Sequence, residues 1–185
     1  MAVILDEVTF LIRLLSDNWA SAGTQLVSDG VIDVSNNATP KFIDVRSIEP
    51  KEGRRVDVDS ESVVVVYEDS ASTSYPTIDY AVRNENFTFT IHIRVLHRRD
   101  FASNTKSRDR LQALYRIARY ILEKNSLRPT VTTIEGGTTY TENADIISLT
   151  SRNEANDRGK RLLGYKLAVE MKRFGRSTGG KLNGK

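Results

Sequence analysis

The longest regular pattern in this sequence is an alternation of apolar and polar residues over residues 86–97. Successive side chains of a strand point to opposite faces, so this alternation predicts a long, half-buried strand. A second stretch of the same kind, over residues 162–173, predicts another long strand. The apolar positions are Phe87, Phe89, Ile91, Ile93 and Val95 in the first stretch, and Leu163, Tyr165, Leu167, Val169 and Met171 in the second.

Two other segments have the three- and four-residue spacing of an amphipathic helix. Residues 3–19 predict an N-terminal helix, and Gly23 is expected to break the chain soon after its end. Residues 106–124 predict a central helix with Ser107 as its N-cap, and Pro129 prevents its continuation. The apolar face of each helix is expected to pack on a sheet.

Shorter strands are predicted between these elements. The β-branched run from Val63 to Tyr67 is typical of a buried central strand. Two further strands, Thr130–Glu135 and Ile146–Thr150, are expected on either side of Gly136-Gly137, which is a turn signal. The remaining strand candidates are Val31–Val34 and Phe42–Ile48.

Three polar segments are predicted to be extended loops, over residues 69–85, 136–144 and 151–161. A loop as long as the first is uncommon inside a compact domain and is usually functional or disordered. It also contains Tyr75 and Tyr80, which favour a partner surface. We expect this loop to become ordered on assembly.

The order of these elements favours the α+β class. We expect a mainly antiparallel sheet with long strands, and an N-terminal and a central helix packed on one of its faces. Residues 1–175 are expected to form a single domain, and residues 176–185 a flexible basic tail.

Composition excludes several classes of protein. The chain of 185 residues has no cysteine, which excludes disulfide frameworks, thiolate nucleophiles and cysteine zinc sites. Its net charge of +3 argues against a dedicated DNA-binding domain. The first residues lack the basic region of a signal peptide, and no apolar run reaches the roughly 18 residues of a membrane span. We therefore expect a soluble protein without a membrane partner.

The strongest enzyme-like feature is the pair Glu170 and Lys172 in the last predicted strand. Glu-x-Lys on a strand is half of the signature of restriction-endonuclease-like nucleases, in which carboxylates hold Mg²⁺ and a lysine helps to activate water. The partner carboxylate would be Asp145 or Asp157. The alternative is that both side chains lie on the solvated face of an amphipathic strand, which we favour.

No other catalytic or cofactor-binding pattern is present. His92 and His97 are the only histidines, and their spacing to carboxylates does not favour a metal site. Neither the phosphate-binding glycine motifs nor the Gly-x-Ser-x-Gly motif of hydrolases occurs. We therefore expect a protein that is not an enzyme and has no cofactor.

Basic and aromatic residues in the predicted loops are instead candidates for subunit interfaces. Clusters of this kind are usually solvated loop charge, but those in loops can form salt bridges between subunits or guide a polyanion. The candidate interface residues are Tyr75, Tyr80, Arg83, Arg98, Arg99, Arg152, Arg158 and Arg161.

Taken together, the pattern resembles the tail terminator, or tail completion, proteins of long-tailed bacteriophages. The resemblance covers nearly the whole chain and concerns element order and size, without a diagnostic residue motif. The matching segments are residues 4–19 for the first helix, Val63–Tyr67 and Phe87–Leu96 for a central hairpin with its long loop, Arg108–Lys124 for the packed helix, and Thr130–Thr150 and Leu162–Phe174 for the closing strands.

This resemblance implies a structural protein of the virion that is assembled in the host cytoplasm. The protein would form a hexameric ring that joins the tail tube protein to a neck or connector protein, and DNA would pass through its lumen without sequence recognition. A head-completion or adaptor protein of the same virion is an alternative, although such proteins are generally more helical.

Overall fold

The computed structural model describes residues 7–44, 62–74, 82–96, 104–126, 130–135, 138–143, 145–157 and 162–176. Within these ranges the chain forms two α-helices, seven strands and a short 3-10 helix, Val34–Asn36. The helices are α1 (Glu7–Ser28) and α2 (Asn104–Lys124). The strands are β1 (Lys41–Asp44), β2 (Ser62–Ser74), β3 (Val82–Leu96), β4 (Thr130–Glu135), β5 (Thr138–Asn143), β6 (Asp145–Asp157) and β7 (Leu162–Arg176).

Five of the strands form one sheet in the order β1-β2-β3-β7-β6. Strand β1 runs parallel to β2, and every other neighbouring pair is antiparallel. Strands β4 and β5 form a separate antiparallel hairpin, and β4 contacts α1. The predicted α+β class, with a mainly antiparallel sheet of long strands, is therefore confirmed.

Both helices pack on the same face of the five-stranded sheet. On this face β3 presents the alternating apolar residues that the sequence predicted, from Phe87 to Val95, and all of them are buried. Tyr115 of α2 contacts Tyr165 of β7 edge to face, with ring centroids 5.3 Å apart, and Trp19 of α1 contacts Phe42 of β1 in the same way at 5.4 Å. The core therefore lies between one helical layer and one face of the sheet.

Helix α1 is longer than the sequence predicted. It continues through Gly23 to Ser28, so the expected break at Gly23 is wrong. The helix ends at Ser28 and is followed by Gly30, which has φ +67°. The Gly30 N–H bonds to the Val27 carbonyl and the Val31 N–H to the Leu26 carbonyl. This is a Schellman motif, in which glycine provides the left-handed residue after the helix.

Two smaller predictions were also wrong. Helix α2 begins at Asn104, so Ser107 lies inside the helix, where its hydroxyl is fully buried and has no hydrogen-bond partner among the described residues. The segment Val31–Val34 is not a strand, because Asp33 caps the short 3-10 helix that follows it.

The predicted loops were the main error. Strand β2 extends to Ser74 and β3 begins at Val82, so most of the predicted loop 69–85 consists of paired strand residues. Likewise, residues 138–143 form β5, and residues 151–157 form the second half of β6. The other residues of these predicted loops lie outside the described residues.

The second face of the sheet is polar along β3 but apolar at one end. Thr90, His92 and Arg94 point to this face and are partly buried. On β2, Val63 and Val65 lie opposite Arg94 and His92 of β3, point to the same face and are fully buried. The run from Val63 is thus buried on both faces, as the sequence predicted for a central strand.

Candidate assembly surface

Beyond the helical core, strands β2, β3 and β7 continue together as an arm, which we define as residues 72–74, 82–86 and 172–176. The last buried row before it contains Phe87 and Met171, which are neighbours across β3 and β7. The arm remains fully paired: Ser74 lies opposite Asn84, and Val82 lies opposite Arg176. The five β3 residues of the arm extend about 17 Å past the core at the usual rise of a strand.

The base of the arm is open on both faces along β2. Ser70, Ala71 and Ser72 are consecutive and all exposed. Because successive side chains alternate between the two faces, exposure of three in a row means that neither face is covered there. Ala71 of β2 lies directly opposite the buried Phe87 of β3. At this pair of residues the helices therefore cover β3 but not β2.

The sheet has two free edges among its described strands. Strand β1 pairs with β2 over Val63–Val66, and from Tyr67 to Ser74 the outer edge of β2 has no partner among the described strands. On the opposite side, β6 is the last strand of the sheet, and its outer edge has no partner among the described strands. Free strand edges present N–H and C=O groups that pair readily with another chain.

Both free edges contain irregularities that limit such pairing. The register of β2 shifts between Glu68 and Ser70, and β6 shifts between Ile146 and Ser148 and again between Leu149 and Arg152. Bulges of this kind bend an edge strand and interrupt its ladder. They restrict the edges to short, specific pairings and discourage open-ended aggregation.

The structure describes only two of the eight candidate interface residues, and both through their backbone positions. Arg83 lies in the arm, opposite Gly175, and Arg152 lies in the edge strand β6, opposite Leu167. Gly175 and Leu167 are eight positions apart on β7, or about 26 Å, so the structure does not bring the two arginines together. The other candidates, which lie outside the described residues, are Tyr75, Tyr80, Arg98, Arg99, Arg158 and Arg161.

The candidate nuclease residues lie on the polar face of β7. In the sheet register, Lys172 lies between Asn86 and Asp145, and Glu170 lies between Thr88 and Ser148. Asp145 is therefore a cross-strand neighbour of Lys172. The other candidate carboxylate, Asp157, pairs with Leu162 at the far end of β7, which excludes it from the same site.

The described residues contain no cluster of three histidines or carboxylates that could hold a metal ion. His92 does not belong to such a cluster: its Nδ1 lies 3.0 Å from the Arg94 Nη2. Since a guanidinium only donates, this imidazole nitrogen is the acceptor, and His92 carries its proton on Nε2. His97, the other histidine, lies outside the described residues.

The candidate surface has two features that the sequence did not predict, the paired arm and the free edges.

No helix among the described residues is long and apolar enough to cross a bilayer. No protein-family model matches the chain, and no curated protein matches it.

Proposed function

We propose that this protein is a structural subunit that assembles with copies of itself through the arm and the free sheet edges. The observation that carries the proposal is the arm itself, a stack of paired strands that continues for five residues of β3 beyond the buried pair Phe87 and Met171. Strands are stable when a face is buried against a core or a further layer. The exposed base of the arm is thus best explained by contact with a neighbouring molecule.

The positions of the free edges favour a ring. The outer edge of β2 and the outer edge of β6 lie on opposite sides of the same sheet. When one edge docks on the other edge of a neighbour, the contact is heterologous, and a heterologous contact generates a ring if its rotation closes. A two-fold dimer would instead use the same patch on both subunits.

Within this class, the tail terminator of a long-tailed bacteriophage is the particular function that we propose. Its support is the resemblance in element order, together with a strand-rich sheet that carries two helices on one face. In this role the ring joins the tail tube protein to the neck of the virion, and DNA passes through its lumen. A more helical fold would have favoured the adaptor alternative.

Ring formation is tested with the purified chain by mass photometry and negative-stain microscopy. We expect closed rings of uniform size, alone or on addition of tail tube protein. The variant A71K/S72K places charge at the exposed base of the arm, where edge lysines disfavour strand pairing, and should reduce ring formation without loss of folding. T24K, which adds a lysine to an exposed position of α1, is the matched control. Monomers at every concentration, with tube protein present, would refute the proposal.

A Mg²⁺-dependent nuclease is the second candidate, and the register of β6 and β7 favours it. Asp145 and Glu170 occupy diagonal positions around Lys172 in the strand register, about 7–8 Å apart between backbones. Supercoiled plasmid incubated with the protein and Mg²⁺ provides the test. Cleavage that is lost in Glu170→Gln would establish the nuclease, and intact plasmid would exclude it.

A further inference from the structure

A cleft of about 170 Å³ lies between α2 and the segment that follows α1. Ile32 and Ala113, which are both buried, provide its apolar lining. Arg116 fixes one side, because its guanidinium donates a hydrogen bond to the Val31 carbonyl. The described residues that line the cleft are Val31, Ile32, Asp33, Asp109, Gln112, Ala113 and Arg116.

The rim of the cleft combines negative charge with exposed apolar surface. Asp33 and Asp109 are both exposed. The Ser35 hydroxyl and N–H both donate to the Asp33 carboxylate, and these bonds hold its pKa below the ordinary value, so it is ionised at neutral pH. Val31 and Val34, the two large apolar side chains that are exposed among the described residues, lie in the same segment.

A ligand for this cleft needs a cation for the two carboxylates and an apolar side chain for the two valines. Segment 177–185 of the chain has both within five residues, at Lys181, Leu182 and Lys185, and contains no acidic side chain. The charges of the cleft and of this segment are therefore complementary.

The length of the chain favours the cleft of a neighbouring subunit over the cleft of its own. Tyr165 of β7 contacts Tyr115 of α2, one helical turn from Gln112 in the cleft. Strand β7 then runs away from this point for eleven residues to Arg176, a distance of about 36 Å. From Arg176 to Leu182 a fully extended chain spans at most about 22 Å. The cleft of a neighbouring subunit is therefore the favoured site.

We propose that the cleft beside α2 binds segment 177–185 of a second copy of this chain, with a lysine between Asp33 and Asp109 and Leu182 over the exposed valines. The inference deepens the ring-forming function proposed above, since it names a contact between neighbours. Exposed ion pairs of this kind are individually weak. A closed ring repeats the contact at every interface, and the covalent link to the arm raises the effective concentration of the segment.

A synthetic peptide of residues 176–185 with a fluorescein label tests recognition by anisotropy titration of the whole protein. We expect saturable binding that weakens with salt, and weakens about threefold or more in D33N/D109N, because two exposed ion pairs are lost. Asparagine at position 33 retains capping ability, so the short 3-10 helix is preserved. D17N, at an exposed position of α1, is the control and should bind as the native protein does. Absence of saturable binding, or equal binding by D33N/D109N, would overturn the inference.

Disulfide crosslinking distinguishes neighbouring copies from the same copy, because the chain has no cysteine of its own. One preparation carries Gln112→Cys, at an exposed position of the cleft, and the other carries Leu182→Cys. After mixing and oxidation with diamide, we expect a disulfide-linked pair of the two variants. Ser21→Cys, exposed on α1, replaces Gln112→Cys in the control and should yield little of this product.

The outcomes separate this inference from the ring itself. Rings in the microscope without the crosslinked pair would overturn the docking of segment 177–185 and leave the ring intact. Crosslinked pairs without closed rings would support the docking and refute the ring. A disulfide that forms only within single chains of the double variant Q112C/L182C would show that the segment folds back on its own subunit, contrary to the proposal.

Discussion

Gly23, which lies in the interior of α1, is expected to report on one close contact of the fold. A Cβ atom added at this position would lie 1.9 Å from Oδ1 and 2.8 Å from Cγ of the Asn37 side chain. The next nearest atom, Nδ2 of the same residue, would be 3.2 Å away. Every severe contact therefore involves a single amide side chain, which must move if glycine is replaced.

Two effects of Gly23→Ala oppose each other. Alanine in a helix interior is more favourable than glycine by about 1 kcal/mol. Displacement of the partly buried Asn37 amide costs an amount of the same order, since residues in contact typically show coupling free energies of about 0.5–3 kcal/mol. We expect Gly23→Ala alone to change the free energy of unfolding little or to lower it.

In the Asn37→Ala background the obstacle is absent, and the same change should raise the free energy of unfolding by about 1 kcal/mol. For a protein of this size, that corresponds to a rise in Tm of about 2–4 °C. The assay is urea and thermal unfolding of the native protein, both single variants and the double variant, followed by far-UV circular dichroism. Equal stabilisation by Gly23→Ala in both backgrounds would refute the contact between Asn37 and α1.

Two further predictions follow from polar groups of the described structure. The Arg110 Nη2 donates a 2.8 Å hydrogen bond to the hydroxyl of the buried Ser62, which links α2 to β2. Ser62→Ala removes this bond and should lower the free energy of unfolding by about 1.5–3 kcal/mol in urea titrations, because the donor is charged. An unchanged urea midpoint would contradict this prediction. By NMR, the Asp33 carboxyl group should titrate with a pKa below 3.8, the ordinary value of an aspartate, and Ser35→Ala should raise this pKa. Because the folded-state pKa is lowered, the contribution of Asp33 to stability is present above its unfolded-state pKa and is lost as the pH falls through the folded-state value. If Ser35→Ala left the titration midpoint of Asp33 unchanged, the hydrogen bonds from Ser35 would not be the cause of the lowered pKa.

The sequence predicted those parts of the fold that bury apolar side chains. The alternation from Phe87 to Val95 identified both the strand and its buried face, because burial selects side chains at every second position. The arm has no such signal: residues 72–74 and 82–86 are mostly polar, and what holds them in strands is backbone pairing with distant segments. Pairing of this kind leaves little trace in local composition, so the arm was interpreted as a loop.

The same reasoning explains the other misses. Glycine is common at helix ends, so Gly23 was interpreted as one. The close approach of Asn37, which lies later in the chain, explains why glycine instead suits the interior of α1. The free edges follow from strand order, which depends on contacts between segments far apart in the chain. The cleft beside α2 likewise depends on the hydrogen bond between Arg116 and Val31, which no local pattern indicates.

The central position of β3 has a consequence for the biosynthesis of the protein. Strand β3 pairs with β7 along its whole length, from Leu96 opposite Leu162 to Val82 opposite Arg176. A nascent chain therefore completes β3 long before the ribosome has made the strand that covers its second edge. During that interval, only α1, β2 and α2 can cover the phenylalanine and isoleucine side chains of β3. A pause in translation before residue 162 would leave one edge of β3 free to pair with other chains.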